Sequence, residues 1–304
     1  MNMRISITLK LPGGGNQTAA LVAREPFTTL PMMVSGHVVL LDKNVLRRAE
    51  KTQGRSCADE PSRIWLNQLN RPDIALNPIL HAMEGCGRRI PDRPEFMTAF
   101  ADGLRLCREL FPKAQLVDFP IEVWPSLYEV SDFLARRHAA ELAFLRWLAP
   151  KAAHPIAERK RWALAENVVD NALELGLEAS SLTVLLGLAL LFDRGSNAPA
   201  KPVAAGIIKP RARYNDGMAH NALSDIRALE FLASAGMVSG PPVALCTSDL
   251  PMIQLWRALR ITDMAVRAHK FIGIVRLSPA LFPLLDDDGC NTLRTVIEQR
   301  SCRA

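Results

Sequence analysis

The chain has 304 residues, 49% hydrophobic and 22% charged, which suits one large or two modest globular domains with a sizeable core. A net charge of +6 and a pI near 9.2 permit an anionic partner such as nucleic acid without requiring one. The longest apolar run, Leu182 to Phe192, is well short of the roughly 18 residues a membrane helix needs, and the cysteines, scattered without CxxC pairs, predict a reducing, cytoplasmic setting.

Taken in chain order, Arg4 to Leu11 alternates polar and apolar residues, which predicts a strand with one wet face and not the apolar core of a signal peptide. Gly13-Gly14-Gly15-Asn16 is a turn, and Thr18 to Ala23 returns as a second strand, so residues 1–35 are expected as a hairpin extension. Val38-Val39-Leu40-Leu41 then reads as a short strand buried on both faces, ended by the polar triplet Asp42-Lys43-Asn44. Asp42 is thereby delivered to the carboxyl edge of a sheet, where open parallel sheets bind ligands. Capping the next helix is an equally good role for it on this stretch alone.

Asn77-Pro78 and Gly85 bracket a short helix at both ends. Glu84 falls in its last turn, where the helix dipole disfavours a carboxylate by roughly 0.3–1 kcal/mol. Full solvation or a cation is therefore expected there, the cation being Arg88, Arg89 or a metal ion. Residues 95–192 read mostly as helix, with one stripe of Leu134, His138, Glu141, Leu145 and Leu148 ended by Pro150, and another of Trp162, Ala165, Val169 and Ala172 closed by Gly176. The aromatics here read as core, and His81, His138 and His154 lack HExxH or CxxC company that would indicate zinc.

Gly195 to Asp216 has little helical period and carries Lys201, Lys209, Arg211 and Arg213, so it is expected as a linker or lid, its bases solvated or gripping phosphates. Gly217 to Ala235 is a helix that sets Asp225 on the face of Met218, Ala222, Leu229 and Leu232, with Asn221 one turn before it. A carboxylate on an apolar face demands a partner. Pro242 to Cys246 is a second buried strand, followed at once by Thr247-Ser248-Asp249, which repeats the arrangement at Asp42. Gln254 to Lys270 then reads as helix, Phe271 to Val275 as a final strand, and Asp286-Asp287-Asp288-Gly289 as a solvated turn.

Leu40-Leu41-Asp42-Lys43-Asn44-Val45-Leu46 resembles the first motif of the PIN domain, apolar-apolar-Asp-x-Asn-x-Leu. Glu84 is similar to that family's second acid, Asp225 within Asn221-Ala222-Leu223-Ser224-Asp225 to its third, and Leu245-Cys246-Thr247-Ser248-Asp249 to its closing Thr-x-Asp. The resemblance implies an α/β fold, a three-layer α/β/α sandwich around a mainly parallel sheet. The 141 residues from Glu84 to Asp225 exceed what a minimal PIN domain needs. The expected plan is thus a PIN-like domain of residues 36–94 and 200–280, a helical insertion over 95–199, and a C-terminal tail or helix over 281–304.

The resemblance further implies metal-dependent hydrolysis of phosphodiester bonds, most readily in RNA, with Mg²⁺ or Mn²⁺ held by Asp42, Glu84, Asp225 and Asp249. Clustered carboxylates suit that chemistry, because hard divalent ions prefer oxygen ligands and stabilise charge on an attacked phosphate. Thr247 and Asn221 are then supporting donors at the substrate site, Arg88 or Arg89 phosphate contacts, and the insertion a surface for a protein partner. Two alternatives stand. Ala219 to Asp225 also resembles the third motif of DnaQ-like exonucleases, although Asp42-Lys43-Asn44 lacks the Glu of their Asp-x-Glu. A PIN-like scaffold can also bind nucleic acid or protein without turnover.

Overall fold

The structure, a computed structural model, describes residues 5–10, 16–22, 36–53, 66–85, 89–118, 124–194, 202–235, 243–247, 249–259, 261–267, 270–275 and 277–302. It is an α/β protein that divides into two compact units. One comprises Met1–Phe133, Ala228–Ile253 and Ile261–Ile274, the other Leu134–Arg227, Gln254–Arg260 and Val275–Ala304. The helical region expected over 95–199 is thus shared between the units. Among the described residues no helix is long and apolar enough to cross a membrane.

The first unit is built on a six-stranded sheet ordered β1-β2-β6-β3-β4-β5. β1 (Ile5–Lys10) and β2 (Asn16–Val22) form the expected antiparallel hairpin, and β2 joins the sheet through Leu21 and Val22, which run parallel to Leu245 and Cys246. β3 (Val38–Leu41) lies parallel to both β4 (Ala75–Asn77) and β6 (Val243–Cys246), with Leu41 opposite Cys246. β5 (Gln115–Leu116) closes the edge, parallel to β4. Val39 and Leu41 enter a core with Val45, Leu46, Ile74, Leu76, Phe111, Ala244 and Cys246. Leu40 and Leu245, on the opposite face by alternation, are buried as well. Burial on both faces is why these strands read as unbroken apolar runs.

Helix α1 (Lys43–Gln53) starts at Asp42, whose carbonyl accepts from Val45 and Leu46, and it docks Val45, Leu46 and Ala49 in the core. α2 (Ile79–Glu84) is initiated by Asn77, whose Oδ1 accepts from the Ile79 amide at 2.9 Å while its Nδ2 donates to the Val117 carbonyl at 3.0 Å. α3 (Arg93–Leu110) begins with a reciprocal capping box between Asp92 and Glu95 and turns Phe96, Phe100, Cys107 and Leu110 inward. β4 and β5 replace part of what the sequence presents as helix and loop. At three and two residues they are too short to show a period of their own, and their neighbours recruit them.

α2 ends at Gly85, whose φ of +67° and ψ of −173° lie in a region that only glycine occupies without strain. A Cβ there would stand 2.8 Å from the Arg89 carbonyl oxygen and 2.9 Å from Pro91 Cδ. Gly85→Ala is therefore expected to lower stability by about 1–3 kcal/mol, read as a reduced urea midpoint at unchanged slope. A midpoint equal to wild type would refute that backbone assignment.

The second unit is helical. It contains Leu134 onward of α4 (Trp124–Lys151), then α5 (Glu158–Glu174), α6 (Leu182–Leu191), α7 (Val203–Ile208) and the stretch of α8 (Asp216–Ala235) up to Arg227. α6 is buried on every side, as its unbroken apolar sequence requires, and packs so closely that a Cβ at Gly187 would meet Phe144 and Leu148 at 2.8 Å. Residues 203–208, expected within a basic lid, are helical instead. Asp193, fully buried, accepts from the Val203 and Ala205 amides, and Val203, Ala204, Ile207 and Ile208 pack inward. Residues 195–201 of that expected lid, with Lys201, lie outside the described residues.

Two further expectations are corrected. Asp286 caps α10 (Asp287–Ser301), accepting from Gly289 at 2.8 Å, so the triple Asp opens a helix where acids complement the dipole. α9 (Leu250–Leu259) stops at Leu259, and β7 (Ile261–Arg267) and β8 (Lys270–Val275) form a two-stranded sheet where helix was expected to Lys270. Strand pairing there overrides helix formers such as Ala265 and Met264, helped by β-branched Ile261, Thr262 and Val266.

Candidate active site

From β3 the chain moves outward to β4 and β5, whereas β6 is laid on the other side of β3. The strand order reverses between β3 and β6, and the carboxyl ends of two such strands flank the crevice where open α/β sheets bind ligands. Asp42 follows β3, and Thr247 and Asp249 follow β6. The ladder continues one step past the strands, with the Asp42 amide donating to the Cys246 carbonyl at 3.0 Å. That register brings Thr247 beside Asp42.

The Thr247 hydroxyl, fully buried, donates to Asp42 Oδ2 at 2.7 Å and accepts from the Asp249 amide at 3.0 Å. One hydroxyl thus links the Asp42 carboxylate to the backbone amide of Asp249. Asp42 Oδ1 accepts from the Asn44 amide at 3.2 Å, and Asp249 Oδ1 from the Met252 amide at 3.3 Å. Each acid therefore fills the local capping role at its strand end. Burial pushes the Asp42 carboxyl above the ordinary aspartate value against the hydrogen bonds from Thr247 and Asn44, and the charges of Glu84 and Asp249 push it further.

The cation that Glu84 requires is Lys43. Its Nζ lies 3.1 Å from Glu84 Oε1 and donates to the Gly85 carbonyl at 3.2 Å, answering both the carboxylate and the negative end of α2. The Lys43 side chain is only 13% exposed and Glu84 27%. Sequence reasoning looked for this cation among Arg88, Arg89 and metal ions and passed over the residue directly after Asp42. Arg89 is engaged with Glu95 at the start of α3, and Arg88 lies outside the described residues. His81, on α2, is a second residue missed: burial and then the Lys43 charge hold its pKa below the usual value, and its Nδ1 has no hydrogen-bond partner among the described residues.

Asp225, half-buried, and Asn221, exposed, lie on α8 in the part belonging to the second unit. Among the described residues no three His, Cys, Asp or Glu side chains stand close enough together to hold a metal ion. The second unit has a polar cluster of its own that the sequence marked only by a Glu and a His in the apolar stripe of α4. Glu141, fully buried, accepts from Arg137 at 2.6 Å, Thr183 at 2.8 Å and Arg227 at 2.7 Å. Arg227 also reaches His138 Nδ1 at 2.9 Å, and His138 meets His220 edge to face. No protein-family model, curated protein or solved structure matches the chain. The class defined by fold and site is an α/β protein with paired acids at the reversal point of a parallel sheet.

Proposed function

We propose that the chain is a divalent-metal-dependent nuclease of PIN-like plan, hydrolysing phosphodiester bonds with RNA the favoured substrate. The observation that carries this reading is that Asp42 and Asp249 follow adjoining parallel strands at their carboxyl ends, with the Thr247 hydroxyl linking the Asp42 carboxylate to the Asp249 backbone amide. The motif order, the acids at the sheet reversal and the basic balance of the chain, +6, all support it.

Carboxylate oxygens are the donors that a hard cation prefers. Mg²⁺ is commonly held by one or two carboxylates, with water and substrate phosphate completing its six positions, so two strand-end acids suffice. When bound, the ion supplies charge stabilisation for the attacked phosphate and a water acidified for attack. Asp42 and Asp249 would hold it, with Thr247 fixing Asp42 through its bond to Oδ2. Asp225 and Asn221 on α8 carry the motif match in the second unit, and the α/β/α layering with its helical insertion belongs to the same reading.

A second reading, a PIN-like module that binds without turnover, draws on the pairing of Glu84 with Lys43, which occupies one acid of the expected set. One assay separates the two. The 304-residue chain incubated with a labelled single-stranded RNA is expected to cleave it in Mn²⁺ or Mg²⁺ and to stop on chelation. Binding of the RNA with no cleavage in either metal would favour the module.

A further inference from the structure

We propose that Lys209, Arg211 and Arg213 form a fixed basic ledge on the helical unit that binds the phosphate backbone of single-stranded RNA. This rests on the nucleic-acid part of the proposed function and places a phosphate contact there and not at Arg89, which is engaged with Glu95. All three bases are exposed, on the stretch between α7 and α8, whereas Pro210 and Tyr214 on the same stretch are buried. The backbone beneath them is pinned at both ends to α7. The Lys209 amide donates to the Ala205 carbonyl at 3.0 Å, and the Tyr214 hydroxyl donates to the Ile208 carbonyl at 2.8 Å. Lys209 has φ 52° and ψ 56°, and it alone among the described residues has a positive φ without being glycine. Glycine or asparagine meets that helix-ending conformation with less strain, so the lysine is a base placed against local preference. Backbone outliers of this kind cluster where ligands are held.

The charges of the ledge are not answered from within the fold. Asp216, the acid nearest in sequence, is taken by Arg146 at 3.0 Å, and among the described residues no carboxylate pairs with Lys209, Arg211 or Arg213. Three like charges on a stretch of five residues repel one another, and an anion that repeats along a chain relieves the repulsion at all three. A nucleic acid supplies a phosphate at every nucleotide, and each one neutralised releases a counterion. An acidic peptide would have to supply three carboxylates at matching spacing. Contacts of this kind hold the backbone and read no base edge, so the ledge binds RNA without regard to sequence.

Fluorescence anisotropy of the 304-residue chain with labelled single-stranded RNAs of two unrelated sequences, in EDTA so that the RNA stays intact, tests this apart from turnover. Each phosphate contact on a single strand contributes about 0.7 to the slope of log affinity against log salt. Lys209→Gln/Arg211→Gln/Arg213→Gln is therefore expected to lower that slope by about 2, equally on both sequences. Arg211→Gln/Arg213→Gln, which leaves Lys209 in place, should lower it by about 1.4 and carries the test if the triple variant fails to fold. Lys113→Gln/Arg159→Gln/Lys160→Gln removes three exposed bases elsewhere, reaches the same net charge as the ledge variant, and should keep the wild-type slope. A wild-type slope in the Arg211 and Arg213 variant, or an equal drop in the control, would overturn the ledge and leave RNA binding standing. Failure of folded wild type to bind either RNA at low salt, with or without binding of a labelled poly-glutamate tested beside them, would bring down the nucleic-acid reading and the ledge with it.

Discussion

Asp42→Asn is expected to reduce metal-dependent RNA cleavage by at least about a hundredfold while leaving the fold intact. Asparagine is nearly isosteric, and its carbonyl oxygen still accepts from the Asn44 amide. The Thr247 hydroxyl, free to rotate, accepts from the new amide group while keeping its bond from Asp249. What disappears is the negative charge at the end of β3. Burial and the nearby Glu84 and Asp249 charges already disfavour that ionised carboxylate, so the variant relieves repulsion and should melt no lower than wild type in the absence of metal. Added Mn²⁺ should raise the melting temperature of wild type and not of the variant, because only a protein that binds the ion is stabilised by it. Cleavage at the wild-type rate would remove Asp42 from the mechanism.

Glu141→Gln is expected to destabilise the helical unit by about 3–5 kcal/mol, the usual cost of removing one partner from a buried ion cluster. The carboxylate answers Arg137, Arg227 and Thr183 at once, and Arg227 is itself only 4% exposed. The amide leaves two guanidinium groups without their anion, and denaturant unfolding reads the loss directly. Burial raises the Glu141 carboxyl, but Arg137 and Arg227 outweigh it and hold the net value below the ordinary glutamate range. Its stabilisation is therefore present above about pH 4.5 and lost only as pH falls through the lower folded value.

His138 acts in the same direction over a different window. Burial, then the charge of Arg227 and the neighbouring His220, against the pull of Glu141, hold it down at about 4. The unfolded chain takes up a proton near pH 6.5 that the folded one refuses, so stability should fall steadily as pH drops from 6.5 toward 4. Urea midpoints measured across that window should decline in wild type and flatten in His138→Phe. An equal decline in both would assign the acid sensitivity to other groups.

Much of the sheet was legible because local hydrophobic pattern reports burial. Val38–Leu41 and Val243–Cys246 are apolar on both faces and stop abruptly at polar residues, so the strands and the acids at their ends could be read from the chain alone. The hairpin and the turns at Gly85 and Gly176 were legible for a similar reason: strand alternation and positive-φ positions depend on residue type more than on distant partners. β4, β5 and β7 were not. The first two are too short to carry a period, and β7 is defined by pairing that helix propensity opposes.

The site divides the same way. By itself the sequence determined which acids end strands and that Glu84 needed either water or a cation, since dipole and desolvation costs are local. Only the tertiary structure decided the partners. Strand order set β6 beside β3 and so joined Thr247 to Asp42 across 205 residues, and the return of α2 placed Glu84 on Lys43 across a separation that no helical or strand period encodes. Pairing of that kind follows from how elements pack, because an ammonium and a carboxylate attract wherever the fold brings them together.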